Sequence, residues 1–379
     1  MRKKSIDKGT ENYIPINKGQ FTLETAARIS SFEEYRGSGV AEAYKENRQY
    51  WEEHPRRQYV SDYPLHVDIE LASICNLQCP MCYTISSEFK EKVNATRMNY
   101  DLFCKIVDQC AEGEVYSIRL SLRGESFLHK NILDCVRYAK KKGIKEVSTL
   151  TNGLRLDEDM FKELMHAGID WITISFDGLG ETYEKIRRPA KYERAVEKIK
   201  NYCRIKQEAG RVKPLIKIQS ILPAIADDPQ AFYDVFAPIS DMVSANPLID
   251  FHQDVSHLPK IENFVCPQIY QRLVIGADGL CMMCANDENN TIVVGNANNQ
   301  SLFEIWHGER MTEIREIHRL HQGCNKLKPC ANCYLPLQTY SEDVELGDRK
   351  VTADKYVSGI QKVKELNMPK KHKHGDLKI

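Results

Sequence analysis

The sequence predicts an α/β protein: a partial (β/α)6 barrel of the TIM-like kind, followed by a small cysteine-rich, metal-binding domain. Three observations predict it. From Pro64 onward, short β-rich runs alternate with longer amphipathic helical runs, the signature of βα units on a parallel sheet. Three cysteines spaced C-x3-C-x2-C (Cys75, Cys79 and Cys82) fall in the loop after the first of those runs. Six of the thirteen cysteines gather between Cys266 and Cys333, where the alternation has stopped.

The strands are expected at His66–Leu71, Ser117–Leu122, Glu146–Thr151, Trp171–Phe176, Leu215–Leu222 and Leu248–His252. Helices are expected between them at Asn99–Cys110, Asn131–Lys142, Glu158–Ala167, Arg194–Glu208 and Gln230–Val235. That makes about six βα units, against the eight over about 250 residues of a closed barrel, so the barrel should be open. The loop with the three cysteines sits at the carboxyl end of the sheet, where such folds build their sites. Residues 1–60 read as a helical extension ending at Pro55, residues 61–258 as the barrel and residues 259–345 as the second domain, with one helix at Leu302–His318. Residues 346–379 read as a C-terminal helix and a basic tail.

Composition narrows the function classes. Lys and Arg (53) balance Asp and Glu (53), which gives no electrostatic case for nucleic acid or a membrane surface as partner. The basic start is followed by no apolar segment, and no run reaches the roughly 18 apolar residues of a membrane span. Thiols are therefore expected to stay reduced, in the cytoplasm, and metal binding or catalysis outranks a disulfide framework.

Three thiolates this close in sequence can ligate three irons of a cubane cluster and leave the fourth without a protein ligand. Iron–sulfur clusters usually take four cysteines. In an enzyme, the missing ligand is a place where a small molecule binds and reacts. The competing reading is part of a zinc site, which usually wants four ligands in C-x2-C pairs.

Each later strand ends in a polar signature: Gly124 and Glu125 in SLRGES, Thr151 and Asn152 in TLTNG, Ser175 and Asp177 in TISFDG, and Gln219 in IKIQSIL. Singly, each is more often a turn. In this order, with the cysteine motif ahead of them, they resemble the radical S-adenosylmethionine (SAM) superfamily over about residues 64–255. One departure is Met81, where the family often has an aromatic residue before the last cysteine; Tyr83 follows that cysteine instead. The resemblance implies a [4Fe–4S] cluster on Cys75, Cys79 and Cys82 whose fourth iron binds SAM. An electron then cleaves the sulfonium to methionine and a 5′-deoxyadenosyl radical, which abstracts hydrogen from the substrate. It also implies a flavodoxin- or ferredoxin-type electron donor. Carried over position by position, Glu125 hydrogen-bonds the SAM ammonium, with Gly124 permitting close approach. Thr151 and Asn152 lie near its methionine and ribose, Ser175 and Asp177 contact ribose or carboxylate, and Gln219, Arg187 and Tyr83 complete the SAM contacts.

In the second domain, Cys266-x12-Gly279-x4-Cys284, followed by Cys330-x2-Cys333, resembles the SPASM and twitch extensions of that superfamily. Two auxiliary clusters would need eight thiolates and six are present, so the resemblance implies one auxiliary [4Fe–4S] cluster on Cys266, Cys284, Cys330 and Cys333. Cys281 and Cys324 are then spare. A structural zinc ribbon on Cys281, Cys284, Cys330 and Cys333 is the alternative. Asp287 and Asp278, near these cysteines, are candidates for a catalytic base, and equally for turn residues. Cys104, Cys110, Cys135 and Cys203 fall in helical patterns and read as core. His318 and His321 read as a solvated helix face.

The expected activity is a radical SAM oxidation: removal of two electrons from a small polar, sugar-like metabolite, with the auxiliary cluster as acceptor. Alternatives are radical modification of a peptide or protein, a redox-neutral epimerisation or dehydration, and a non-catalytic metal-binding scaffold. Peptide-modifying relatives often carry a leader-binding winged helix of some 80 residues. Residues 1–60 look helical and too short for one, which favours the small molecule.

Overall fold

The computed structural model describes residues 21–246, 255–347 and 349–357. The strands are β1 (Phe21–Thr22), β2 (His66–Ile69), β3 (Ser117–Arg119), β4 (Glu146–Thr151), β5 (Trp171–Ser175), β6 (Leu215–Ile221), β7 (Met242–Asn246), β8 (Arg272–Ile275), β9 (Leu280–Met282), β10 (Val293–Asn296), β11 (Thr339–Leu346) and β12 (Arg349–Tyr356). Strands β2 to β7 pair in parallel, in sequence order, and form the barrel wall. The sheet does not close on itself. It continues from β2 into β8, which is also parallel, and then into the antiparallel β9 and β10. The partial barrel and the small second domain thus share one ten-stranded sheet.

Alternation sorts each strand into two faces. Val67, Ile69, Ile118, Ile172, Ile174, Ile216 and Ile218 are buried in the main core between sheet and helices. Their neighbours Asp68, Arg119, Thr173, Lys217 and Gln219 therefore face the barrel interior. The covering helices are held by local signals. Asn99 caps Tyr100–Glu112 by accepting from the Asp101 and Leu102 amides, and Asp157 caps Glu158–Ala167, which ends at Gly168 in the left-handed region.

Helices Ala26–Gly37 and Ala41–Arg57 close the amino end of the barrel. Phe32 packs on Leu215, Met242 and Trp171 as a small separate apolar cluster. Arg36 donates two bonds, 2.7 and 2.8 Å, to Glu146, and Trp51 meets His66 edge-on at 6.2 Å between ring centroids. Every one of those barrel partners is the first residue of its strand, so the floor is sealed.

Lys217, just above this floor, is 3 % exposed, and burial pushes its ammonium down to about 7. Between about pH 7 and the ordinary lysine range, the unfolded chain holds a proton that the folded one has released, so stability rises with pH across that window. Lys217→Met should remove that slope, read as the urea midpoint between pH 7 and 10.

Several expectations are corrected. The first helical segment does not end at Pro55 but runs to Arg57. Proline has no N–H for the Trp51 carbonyl, and the Gln271 side chain supplies the missing donor at 2.6 Å. The single helix at Leu302–His318 is two, Leu302–Trp306 and Glu309–Arg319, broken at Gly308, where a Cβ would meet the Glu304 carbonyl at 2.8 Å. The expected strand Leu248–His252 lies outside the described residues, and the sixth barrel strand is Met242–Asn246. The described part of 346–379 holds the strand β12, paired with β11, and the remainder lies outside the described residues. Among the described residues, no helix is long and apolar enough to cross a membrane.

Candidate active site

The loop after β2 carries Cys75, Cys79 and Cys82 to the carboxyl end of the barrel. A tight turn, Cys82 N–H to Cys79 O at 2.9 Å, brings the last two together, and Cys82 Sγ lies 3.0 Å from the Thr84 hydroxyl. Burial pushes the Cys79 thiol up to about 12; the Arg187 guanidinium opposes this, and the neighbouring Cys82 and Cys75 charges add to it. A metal-bound thiol is deprotonated outright. Three mutually close thiols on one loop fit three irons of a cubane.

Gly124 makes this loop possible. A Cβ there would meet the backbone carbonyls of Ile74 and Ala72 at 2.3 and 2.6 Å, so only glycine lets the strand-end turn pass under the cysteine loop. The Glu125 amide then donates to Ile74 O at 2.8 Å. Gly124→Ala should displace that loop and lower 5′-deoxyadenosine formation by about a hundredfold, as misplacements near 1 Å do. Iron content, measured alongside, should hold.

Glu125 is 2 % exposed and organises the next strand end. It accepts from the Thr151 hydroxyl at 2.7 Å, the Asn152 amide at 2.8 Å and the Phe127 amide at 3.1 Å. Asn152 in turn donates to Asn76 Oδ1 at 2.8 Å and reaches Cys75 Sγ at 3.8 Å. Lys198 pins the following loop by donating to the carbonyls of Gly153, Leu154 and Leu156. Asp177, 1 % exposed, accepts from Arg187 Nε at 2.7 Å and from the Ile221 amide at 2.9 Å. Arg187 so held stands beside Cys79. Ser175 and Gln219 are register partners on β5 and β6. Glu125, Thr151, Asn152, Asp177 and Arg187 are thus gathered around the cysteine loop. Tyr83 stands near Cys82 and also near Glu288, Arg123 and Glu70.

In the second domain, Cys284, Cys330 and Cys333 come together with Cys266, each close enough for its charge to act on the others. Cys281 does not join them. Its thiol points at the Gly279 carbonyl, 3.8 Å away, and its charged neighbour is Asp278. This separates the zinc-ribbon set and leaves Cys266, Cys284, Cys330 and Cys333 as the four that fit one cluster. Cys324 lies buried beside Cys330 and Cys333.

Of the two readings of Asp287 and Asp278, base or turn residue, their hydrogen bonds describe the turn. Asp287 is 3 % exposed and accepts from the Thr291 and Ile292 amides at 2.9 and 2.6 Å, closing the loop after Cys284. Asp278 accepts from the Leu280 amide and the Asn94 side chain, both at 3.1 Å, in the β8–β9 turn. Both carboxylates hold turns. His318 is corrected: it is 2 % exposed, with Nε2 3.6 Å from Cys330 Sγ, and burial pushes it down to about 4. His321 is exposed.

Sequence reasoning missed the groups between the two cysteine sets. Arg123 Nε and Nη2 pair with the two Glu70 oxygens at 2.7 and 2.6 Å, with both side chains 1 % exposed. Arg123 Nη1 continues to the Glu288 carbonyl at 3.0 Å and to Asn290 at 2.7 Å. Burial pushes the Glu288 carboxyl up to about 9, Asp287 adding to this and Arg123 opposing it. Asn286 donates to Cys333 Sγ at 3.7 Å. The sequence signal for Arg123 was its place directly before Gly124-Glu125.

A barrel whose strand ends converge on a three-cysteine loop, joined to a four-cysteine domain, defines a radical SAM enzyme with a SPASM-type domain. The chain belongs to this superfamily: the radical SAM superfamily profile matches residues 69–213, and that of the SPASM iron–sulfur cluster-binding domain matches residues 266–334. Its cofactors are SAM, the SAM-binding [4Fe–4S] cluster and an auxiliary iron–sulfur cluster. Among curated proteins it is 28 % identical, over 322 residues, to the tungsten-containing aldehyde ferredoxin oxidoreductase cofactor-modifying protein of Pyrococcus furiosus, covering 70 % of this chain and 86 % of that one. It is 32 % identical over 135 residues to a probable GTP 3′,8-cyclase of Saccharolobus islandicus, spanning 42 % of that protein and 35 % of this chain. Solved structures share the fold at low identity. SuiB of Streptococcus suis bound to S-adenosylmethionine superposes with a TM-score of 0.52 at 13 % identity, over 82 % of this chain and 83 % of that one. BtrN in complex with AdoMet and 2-DOIA gives 0.50 at 17 % identity, over 71 % and 92 %.

Proposed function

We propose that this enzyme oxidises a small polar metabolite by two electrons: one hydrogen atom is abstracted, a proton leaves to solvent, and the second cysteine set accepts the second electron. The observation that carries the reading is that Cys266, Cys284, Cys330 and Cys333 lie near enough for their charges to act on one another. A fully protein-ligated cluster has no open position for substrate, which leaves electron transfer as its role. The bound cluster and SAM supply the 5′-deoxyadenosyl radical. The chain's own residues orient and insulate. Glu125 fixes the Thr151–Asn152 turn beside Cys75, Asp177 holds Arg187 over Cys79, and the sealed floor keeps water from entering at the amino end. Tyr83, near Cys82 and Glu288, and Glu288, near Arg123 and Cys333, offer an electron a route through protein between the two sets.

The Pyrococcus relative, named for modifying a cofactor, supports a small molecule over a peptide. A flavodoxin- or ferredoxin-type protein is the proposed electron donor. The test is anaerobic: reconstituted, dithionite-reduced protein is incubated with SAM, and 5′-deoxyadenosine is measured. Absence of that product, together with an EPR signal unmoved by SAM, sinks the catalytic reading. With substrate in hand, Cys330→Ala should still cleave SAM yet lose the oxidised product. Retention of that product in Cys330→Ala would remove the acceptor role.

A further inference from the structure

The lower interior of the barrel holds more positive charge than it neutralises. Five cations line it or its floor: Arg36, Arg48, Arg119, Lys217 and Arg272. Two buried carboxylates answer them. Glu146 is taken by both arms of Arg36. Asp68, 0 % exposed, is shared by Arg119 at 2.8 Å, Arg272 at 3.3 Å and His66 at 3.1 Å. A third acid, Glu33, sits on the outer rim, 42 % exposed. Lys217 makes no hydrogen bond or ion pair among the described residues, although it is nearly fully buried; its charged neighbours are Arg36, Glu33 and Arg119. Burying an ammonium unpaired is costly, and a second cation nearby makes it more so. Arg119 has one acid partner, shared with a second arginine, and keeps 31 % of its side chain accessible.

With the amino end closed by Phe32, Leu215, Met242 and Trp171, a ligand reaching Lys217 and Arg119 would have to enter from the carboxyl end, where the cysteine loop lies. We propose that this interior receives an anionic oxygen group of the substrate, a phosphate or a carboxylate, bound by Lys217 and Arg119. The proposal rests on the reading that radical chemistry takes place at the barrel mouth. It adds a substrate class and a length. Lys217 lies one inward-facing step below Gln219 on β6, about 7 Å along the strand. The substrate's reacting carbon and its anionic end are therefore separated by at least about that distance. An oxyanion between an ammonium and a guanidinium gains charge-assisted hydrogen bonds from both.

Calorimetric titration of the reconstituted holoenzyme with inorganic phosphate, pyrophosphate and succinate tests this. Wild type should bind at least one of them, with phosphates or succinate preferred according to which group the substrate carries. Lys217→Met and Arg119→Gln should each weaken that binding at least tenfold. Lys217→Arg should restore most of it, which a merely structural lysine would not do for anion affinity. Lys200→Met, on the surface of helix Tyr192–Glu208, should leave it unchanged. No binding by wild type, or equal affinity in wild type and Lys217→Met, overturns the proposal. Anion binding needs no SAM turnover, so the two readings fail separately: SAM cleavage without anion binding removes this one, and anion binding without SAM cleavage removes the other.

Discussion

Cys79→Ala should reduce 5′-deoxyadenosine formation to background and lower iron from about eight to about four atoms per chain, as loss of one [4Fe–4S] centre requires. Cys79 is the buried member of its motif, so alanine leaves no solvent ligand to take its place. The remaining iron should belong to the second set, and Cys79→Ala/Cys330→Ala should lose most of it. Anaerobic iron and sulfide analysis beside EPR checks both. Full iron content in Cys79→Ala would show that the motif does not hold a cluster.

Arg123→Met should destabilise the folded enzyme by about 3–5 kcal/mol, the usual consequence of stranding one member of a buried ion pair. Glu70 would keep its charge at 1 % exposure with only the Arg123 and Ala277 amides as donors. Glu70→Gln/Arg123→Met should be less damaging than Arg123→Met alone, because no buried charge is left unpaired. Denaturant unfolding of the cluster-loaded proteins measures both. Equal midpoints for wild type and Arg123→Met would show that the pair is a bystander.

The barrel was legible because its signals are local. Period-two runs, helical spacing and strand-end glycines each fit within a dozen residues, and Glu146–Thr151 and Glu158–Ala167 fall where the pattern puts them. The cysteine sets were legible because their ligands lie on short motifs. What escaped was decided by partners far away in sequence. Glu70 and Arg123 are 53 positions apart, and neither looks unusual alone. Asp287 read equally as base or turn residue because nothing in NDENNT reveals that its oxygens take the Thr291 and Ile292 amides. His318 looked solvated because its neighbour Cys330 comes from a different turn of chain. Pro55 looked like a stop because Gln271, which rescues its helix, belongs to the other domain.

The pairing of β8 along β2, four residues in register from His66–Arg272 to Ile69–Ile275, has a mechanical meaning. The strand that leads to the first cysteine loop and the strand that opens the second domain are one hydrogen-bonded ladder, pinned at its upper end by Arg123. The ladder ties the two directly, without an intervening segment between paired residues. The gap between the two redox centres is therefore a fixed gauge, and tunnelling rates, which fall steeply with distance, are set by the sheet itself. Whatever motion admits substrate must come from loops at the mouth, since swinging the second domain would tear the barrel wall.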